Sequence, residues 1–307
     1  MNQELYKNLY VIFNPLIAFM GILVYPTILL TLLTEKYKYS LFLAGLESLC
    51  LYIINLDDKK TIYKYLQNLY FTTISNITNN ITYLNKIQPT NHSEIILVIP
   101  HGAFCVAGTI LIPTLLKDKM LNSPCVIFVD KILNDNSSIF RAVSRISGVY
   151  DSKGLTNDNV IEQFEKGIPS IAVMPGGFVE AVSVTSSNFR YYTNVYKYWI
   201  KKSIEYNYNI RILFTLNGAE FYPQPEFAIG LRTALAKLQI PTVIPSLPKV
   251  PKLYVNQWKY ETQTLYSTLK IDERSENIYE LLCSDIEKQF NEYKSNVFSN
   301  PPLISRL

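Results

Sequence analysis

Residues 9–33 form a stretch of 25 residues that contains no charged side chain. An α-helix rises 1.5 Å per residue, so roughly 20 apolar residues cross a hydrocarbon core about 30 Å thick. Pro15 and Pro26 interrupt the stretch, which therefore predicts a transmembrane helix with a kink or a re-entrant helix. A removed leader is disfavoured, because the stretch is too long and lacks a basic start and a small-residue cleavage site.

A second apolar stretch, residues 39–56, follows after the short polar segment 34–38 and carries Glu47 as its only charge. Two such stretches joined by five residues predict an N-terminal transmembrane or re-entrant helical hairpin over residues 1–58, with residues 59–307 as a separate domain. A pair of buried core helices is the alternative. Lysines flank both ends of the hairpin, which favours a cytoplasmic position for both ends and for residues 59–307.

The composition excludes several classes of protein. Hydrophobic residues make up 48% of the chain and charged residues 18%, which is too apolar for a disordered protein. A net charge of +4 argues against nucleic acid as a partner, since such proteins carry a clear excess of clustered basic residues. The four cysteines are widely spaced and there are only two histidines, so neither a disulfide scaffold nor a metal site is expected.

From residue 94 onward, short apolar runs alternate with amphipathic segments. Near-continuous β-branched runs predict buried strands at 95–99, 126–129, 171–174 and 210–216. Helical periodicity predicts helices at 137–147, 157–166, 192–206 and 275–294, and the residues between 241 and 251 are read as a Pro-rich loop. This alternation predicts an α/β fold whose sheet is mostly parallel and flanked by helices.

A further helix is predicted around residues 63–74, where apolar side chains recur at helical spacing. Such a stripe is typical of a helix that packs on a core. Directly after a membrane hairpin it is equally typical of a helix that lies in the membrane interface. The pattern leaves both interpretations open.

Two motifs follow predicted strands directly. Pro100-His101-Gly102 comes after the first strand, and the segment 175–180, with Gly176, Gly177 and Glu180, comes after the third. Ligands of open α/β sheets bind at the carboxyl ends of the strands. The two motifs are therefore the candidate site.

The residue types in these motifs suit acyl chemistry. A histidine can remove the proton of a hydroxyl that attacks an acyl carbonyl, and a carboxylate such as Glu180 can orient the ring and stabilise its protonated form. The backbone amides at Gly102, Gly176 and Gly177 can stabilise the developing oxyanion. The sequence therefore predicts His101 and Glu180 as catalytic residues. The alternative is a buried structural histidine beside ordinary turns.

These residues resemble a known family. Residues 99–102 are similar to the H-P-H-G motif of the diacylglycerol acyltransferase type 2 family, with Ile99 in place of the first histidine. The segment 175–181 resembles that family's G-G-x-x-E-[AS] block, and residues 214–222 resemble its [FY]-S-F-G-E-N-[DE]-x-Y block, with Asn217-Gly218-Ala219 replacing Gly-Glu-Asn. The order and spacing agree over nearly the whole chain.

The resemblance implies a membrane-bound acyltransferase that moves a fatty acyl group from acyl-CoA to the hydroxyl of diacylglycerol or monoacylglycerol. It implies no metal and no cofactor besides acyl-CoA as co-substrate, and it adds Pro100 and Glu220 to the substrate-binding residues. The expected partners are acyl-CoA, a glycerolipid and the bilayer, and a homo-oligomer is compatible with this. The expected location is an endoplasmic-reticulum-type membrane or a lipid droplet.

Three other interpretations remain open. Cys105 is a candidate thiolate nucleophile of an acyltransferase or thioesterase, although buried structural cysteines are commoner. The chain is alternatively a lipid-binding protein on a catalytically inactive scaffold. The basic side chains at 190, 197, 201, 202 and 211 are either a site for the phosphates of coenzyme A or a solvated helix face.

Overall fold

The protein is described here by a computed structural model, which has the α/β architecture predicted from the sequence. The residues it describes are 37–57, 59–78, 81–86, 89, 91–100, 102, 106–149, 151–183, 190–193, 196–216, 224–225, 227–238, 242, 253–297 and 303–306. The apolar stretch 9–33 and the residues His101, Cys105 and Glu220 lie outside the described part.

Helices flank the sheet along most of the described chain. In chain order they are α1 (Tyr37–Ile54), α2 (Thr61–Thr78), α3 (Val106–Lys117), α4 (Lys131–Asn136), α5 (Ser138–Ile146), α6 (Asn157–Glu165), α7 (Gly177–Ser183), α8 (Lys197–Glu205), α9 (Ile229–Lys237) and α10 (Ile271–Val297). Local sequence explains some of their limits. The Thr156 hydroxyl, for example, accepts a hydrogen bond from the Asn159 amide at 3.2 Å and caps the start of α6.

Seven strands form the main sheet in the order β1-β8-β7-β2-β5-β3-β4. The strands are β1 (Ile81–Tyr83), β2 (Glu94–Ile99), β3 (Cys125–Val129), β4 (Asp151–Gly154), β5 (Ser170–Val173), β7 (Asn209–Thr215) and β8 (Leu253–Tyr260), while β6 (Arg190–Thr193) and β9 (Leu303–Arg306) pair separately. All neighbours in the main sheet are parallel except β7 and β8. The predicted, mostly parallel sheet is confirmed.

The two faces of the sheet have separate cores. On one face, side chains such as Ile95, Leu97 and Phe214 pack against α6, α8 and α10. On the other face, alternate side chains such as Ile96 and Val98 pack against α3. The central strand β2 is buried along its whole length, which explains its continuous apolar sequence.

The second apolar stretch forms α1, and one face of this helix packs on α5. Cys50 contacts the buried Ile139 and Ala142, and the Glu47 carboxylate accepts a hydrogen bond from the Ser138 hydroxyl. The predicted boundary at residue 58 therefore separates elements that contact each other. Within the described part of the chain, no helix combines the length and the apolar character that a membrane crossing requires. The predicted N-terminal transmembrane hairpin is not supported by these residues.

The prediction of a helix over 192–206 is partly wrong. The first residues of that range belong to β6, and α8 begins only at Lys197. The helix predicted around residues 63–74 is part of α2, whose Tyr63 and Tyr70 are buried against the rest of the protein while Leu69 is exposed. The Tyr63 hydroxyl donates a hydrogen bond of 2.9 Å to the Arg145 carbonyl at the end of α5. The described part of α2 therefore has one face on the core.

Candidate functional site

Three neighbouring strands carry the three sequence motifs to one edge of the sheet. β2 lies between β5 and β7 and is parallel to both, with Leu97 opposite Val173 and Ile99 opposite Phe214. All three strands therefore end at the same edge, which is where open α/β sheets bind their ligands. We call this edge, from residues 99–102 through 174–180 to 214–216, the candidate site.

The motif after β2 enters the candidate site through buried residues. Pro100 and Gly102 are both buried, and Gly102 has a φ of +65°, a backbone conformation that strongly favours glycine. His101 stands between them and lies outside the described residues, so its predicted role as the base stays a prediction. The glycine after it is required by the path of the backbone.

The motif after β5 passes directly into α7. Its two glycines differ, because Gly177 has a φ of +58° and Gly176 has no such conformation. Glu180 lies one turn into α7 with only 1% of its surface exposed, and its amide donates a hydrogen bond of 3.3 Å to the Gly176 carbonyl. The Glu180 carboxylate turns back over Gly176, in the volume where a Cβ on that residue would stand. It therefore lies against the glycine of its own motif.

The motif after β7 is joined to β2 by a side chain that the sequence analysis did not single out. Thr215 is fully buried, and its hydroxyl donates a hydrogen bond of 3.3 Å to the Ile99 carbonyl, the last of β2. Glu220 lies outside the described residues. A threonine at a strand end is too common for its sequence position to identify such a role.

A second residue not found from the sequence is Arg232 on α9, the helix that packs against α7. Its guanidinium donates hydrogen bonds to the carbonyls of Pro225 and Thr242 at 2.6 and 3.0 Å and to the Gln224 side chain at 2.5 Å. Burial lowers the pKa of Arg232 from its ordinary value. Arg232 thus ties α9 to residues 224–225 and to Thr242, and only the tertiary structure shows these acceptors.

The basic residues considered for coenzyme A phosphates are engaged elsewhere. Lys197, Lys201 and Lys202 contact the carboxylates of Glu276, Asp272 and Glu205. Arg211 is fully buried and donates two hydrogen bonds, of 2.7 and 3.2 Å, to Glu94. Glu94 is the first residue of β2 and so lies at the opposite end of the strand from the candidate site. The Arg190 side chain is not among those described.

A cavity of about 590 Å³ lies between α2, the end of α3 and the end of α5. It is lined by Gln67, Asn68, Phe71, Thr72, Leu116, Lys117, Ser123, Ser147 and Gly148, none of which is a predicted site residue. Because α3 and α5 run from the candidate-site edge back toward the start of the next strand, their ends lie at the opposite edge. Among the described residues, no group of three His, Cys, Asp or Glu side chains is placed to hold a metal ion.

Comparison of the chain with family models, with curated proteins and with solved structures finds no match. The interpretation of the candidate site therefore depends on its own geometry and on the three motifs.

Proposed function

We propose that the chain is an O-acyltransferase that moves a fatty acyl group from acyl-CoA to the hydroxyl of a mono- or diacylglycerol at a membrane surface. The observation that supports this most directly is the position of β5, β2 and β7. They are neighbours, and each carries one block of the resemblance to the diacylglycerol acyltransferase type 2 family to the same edge. The first and third blocks are more than 100 residues apart in the sequence, yet the strands that precede them end at the same edge of the sheet.

The proposed reaction needs a base, a charge partner and an oxyanion site. His101 takes the proton of the acceptor hydroxyl while the hydroxyl oxygen forms a bond to the thioester carbonyl carbon. The tetrahedral intermediate then collapses, the carbon–sulfur bond breaks, and coenzyme A leaves as a thiol after receiving the proton from His101. Glu180 stabilises the protonated imidazole, and backbone amides such as that of Gly102 stabilise the oxyanion.

Exposed apolar surface beside the candidate site supports a lipid acceptor. Phe227 lies two residues before α9, Leu231 is on α9, and Leu238 follows its last residue; they are 79%, 63% and 71% exposed. α9 packs against α7. Leu231 and Leu238 are seven residues apart, close to two helical turns, and the sequence from 227 to 238 contains no acidic residue. We call these three side chains the α9 stripe. Large exposed apolar side chains beside a site are a feature of protein and membrane contacts.

A similar surface lies on α1. Leu41, Phe42, Leu49 and Tyr52 are exposed on the side away from Cys50. α1 and α5 run parallel, because Glu47 pairs with Ser138 near the start of α5 and Leu56 pairs with Arg145 near its end. Since α5 starts at the candidate-site edge, the start of α1 lies at that edge too. The exposed apolar surfaces of α1 and α9 both support a lipid environment at that edge. In the sequence, α1 also follows the apolar stretch 9–33 closely.

The test is acyl transfer by the full-length protein in lipid, with labelled acyl-CoA and diacylglycerol. We expect His101→Ala to lower the rate by about 10²–10⁴-fold, the contribution of a general base. His92→Ala is the matched control, because His92 is the other histidine of the chain and is exposed before β2. Full activity in His101→Ala, with the protein folded, would contradict the mechanism.

One observation favours a second candidate, a lipid-binding protein without catalysis. Glu180 is almost fully buried, so little of its carboxylate is open to a substrate. This candidate predicts that the wild-type protein binds diacylglycerol but transfers no acyl group, and that His101→Ala leaves binding unchanged. The same assay, run with a binding measurement, separates the two candidates.

A further inference from the structure

We propose that Gly176 is a positioning residue, because its missing side chain leaves the space that holds the Glu180 carboxylate. A Cβ added at Gly176 would overlap the carboxylate of Glu180 and would lie 2.6 Å from the Glu180 Cβ. Side-chain atoms essentially never approach so closely. The two residues therefore form a matched pair in which the absence of one side chain accommodates the other. The inference rests on the proposed function, in which Glu180 is the charge partner of the base.

Helix geometry explains the direction of the Glu180 side chain. In an α-helix each side chain tilts toward the amino terminus, so a residue covers the surface of the turn before it. Glu180 follows Gly176 by four residues, and the backbone hydrogen bond between them shows that they face each other across one turn. The Glu180 side chain thus points toward Gly176, and burial of both residues holds it there.

Gly176 is needed for space and not for its backbone conformation. Its φ does not lie in the left-handed region, whereas those of Gly102 and Gly177 do. An alanine could therefore adopt the backbone of Gly176 without strain. What an alanine could not do is share the volume that the Glu180 carboxylate fills.

The two adjacent glycines consequently have different roles. A carboxylate over Gly176 would repel an oxyanion there, since like charges disfavour one another. The space beside Gly177 is open among the described residues, none of which has an atom within 4 Å of the position of a Cβ. Oxyanion binding, predicted from the sequence for both glycines, is therefore assigned to Gly177 and Gly102. Gly176 instead fixes the charge partner.

The first test is a stability cycle that needs no activity. Gly176→Ala in the wild-type protein should lower Tm by about 4 °C or more, while the same change in Glu180→Gly, which removes every side-chain atom of residue 180, should lower it by about 1 °C or less. Gly230→Ala is the matched control, because the space beside Gly230 on α9 is open among the described residues, and it should not lower Tm. If Gly176→Ala alone does not fold, the Gly176→Ala/Glu180→Gly double variant should still fold like Glu180→Gly. Equal destabilisation in both backgrounds would overturn the proposal.

The second test measures acyl transfer in the same variants. Gly176→Ala should lower kcat on the order of 10²-fold with little change in KM, as Glu180→Gln does, and it should cause no further loss in the Glu180→Gln protein. Glu180→Asp shortens the side chain by one methylene, so Gly176→Ala/Glu180→Asp should recover activity about 10-fold above Gly176→Ala. A merely structural glycine would give additive losses and no such recovery, which would overturn the positioning role. If the wild-type protein transfers no acyl group, the proposed function fails while the stability cycle still tests the pair.

Discussion

Arg211 and Glu94 form an ion pair inside the sheet, with both side chains fully buried. The Arg211 Nε atom lies 2.7 Å from a Glu94 carboxylate oxygen, and Lys259 approaches the other oxygen at 3.1 Å. The Arg211 Nη1 atom donates a hydrogen bond of 2.8 Å to the Gln257 side-chain oxygen. The network joins β2, β7 and β8 at the edge opposite the candidate site.

We expect Arg211→Met to destabilise the protein by about 3–5 kcal/mol, because it leaves a buried carboxylate without its main partner. Urea unfolding measures this free energy directly. Lys201→Met is the control, since the Lys201–Asp272 pair is exposed to solvent and its loss should leave unfolding almost unchanged. Equal effects of the two substitutions would show that the buried pair contributes no more than a surface pair.

Gly108 on α3 and Met174 at the end of β5 form a second close contact. A Cβ on Gly108 would overlap the Met174 sulfur and would lie 3.2 and 3.3 Å from its Cγ and Cε atoms. Gly108→Ala should therefore destabilise the protein by about 1–3 kcal/mol through overpacking. Met174→Ala in the same chain should relieve much of that cost, as thermal unfolding of the two single variants and the double variant would show. Additive losses would contradict the contact.

The Cys125 thiol makes the free energy of unfolding fall at alkaline pH. Burial raises the pKa of Cys125 from an ordinary 9.0 to about 12. Between these values the unfolded chain releases the proton that the folded protein keeps, so stability is full below pH 9 and falls as the pH rises toward 12. The slope for this one group is about 1.4 kcal/mol per pH unit. Cys125→Val should make the decline less steep in urea unfolding between pH 8 and pH 11, and an unchanged slope would contradict the assignment.

The other described cysteines make thiol labelling a sharp test of the Cys105 alternative. Cys50, Cys125 and Cys283 are buried thiols, and both burial and the charge of Glu47 raise the pKa of Cys50. Buried thiols of this kind react slowly. If Cys105 is a nucleophile, the native protein should label rapidly at one thiol, Cys105→Ser should abolish that phase, and acyl transfer should be lost with it. Transfer that persists in Cys105→Ser would exclude the thiolate mechanism.

The α9 stripe should contribute to membrane binding. We expect Leu231→Asp to weaken co-sedimentation of the protein with phosphatidylcholine vesicles containing anionic lipid, because it places a charge in an apolar, acid-free surface. Ile271→Asp is the control, as Ile271 is similarly apolar and exposed but lies at the start of α10, away from α9. Equal binding by Leu231→Asp and the wild-type protein would remove this support for a lipid-facing edge.

Much of the sheet could be predicted from the sequence, because β2, β3, β5 and β7 are buried on both faces and therefore read as continuous apolar runs. β4, with the sequence Asp-Ser-Lys-Gly, has no such pattern and was missed. The antiparallel β8 was missed for the same reason, since polar residues interrupt the apolar residues in its sequence, Leu-Tyr-Val-Asn-Gln-Trp-Lys-Tyr. Burial on two faces is visible in a sequence, whereas β4 at the sheet edge and β8 beside the edge strand β1 depend on their neighbours.

The candidate site could be predicted only in its location. β2 and β5, the strands that precede the two motifs, end at one edge because they are parallel neighbours. The direction of the Glu180 side chain and the pairing of Arg211 with Glu94, 117 residues away in the sequence, depend on rotamers and register. No local pattern encodes them, which is why Arg211 was considered a phosphate ligand.

The antiparallel direction of β8 places a chain connection beside the candidate site, where changes in sequence alter ligand binding. Val255 pairs with Thr215, so β8 begins at the edge where β2, β5 and β7 finish. The same edge of the sheet therefore contains the ends of β2, β5 and β7 and the start of β8. Insertions or substitutions just before Leu253 would change which ligands this edge of the sheet binds, while the pairing of β8 with β7 keeps its register. That junction is therefore a suitable position at which to engineer a new ligand selectivity.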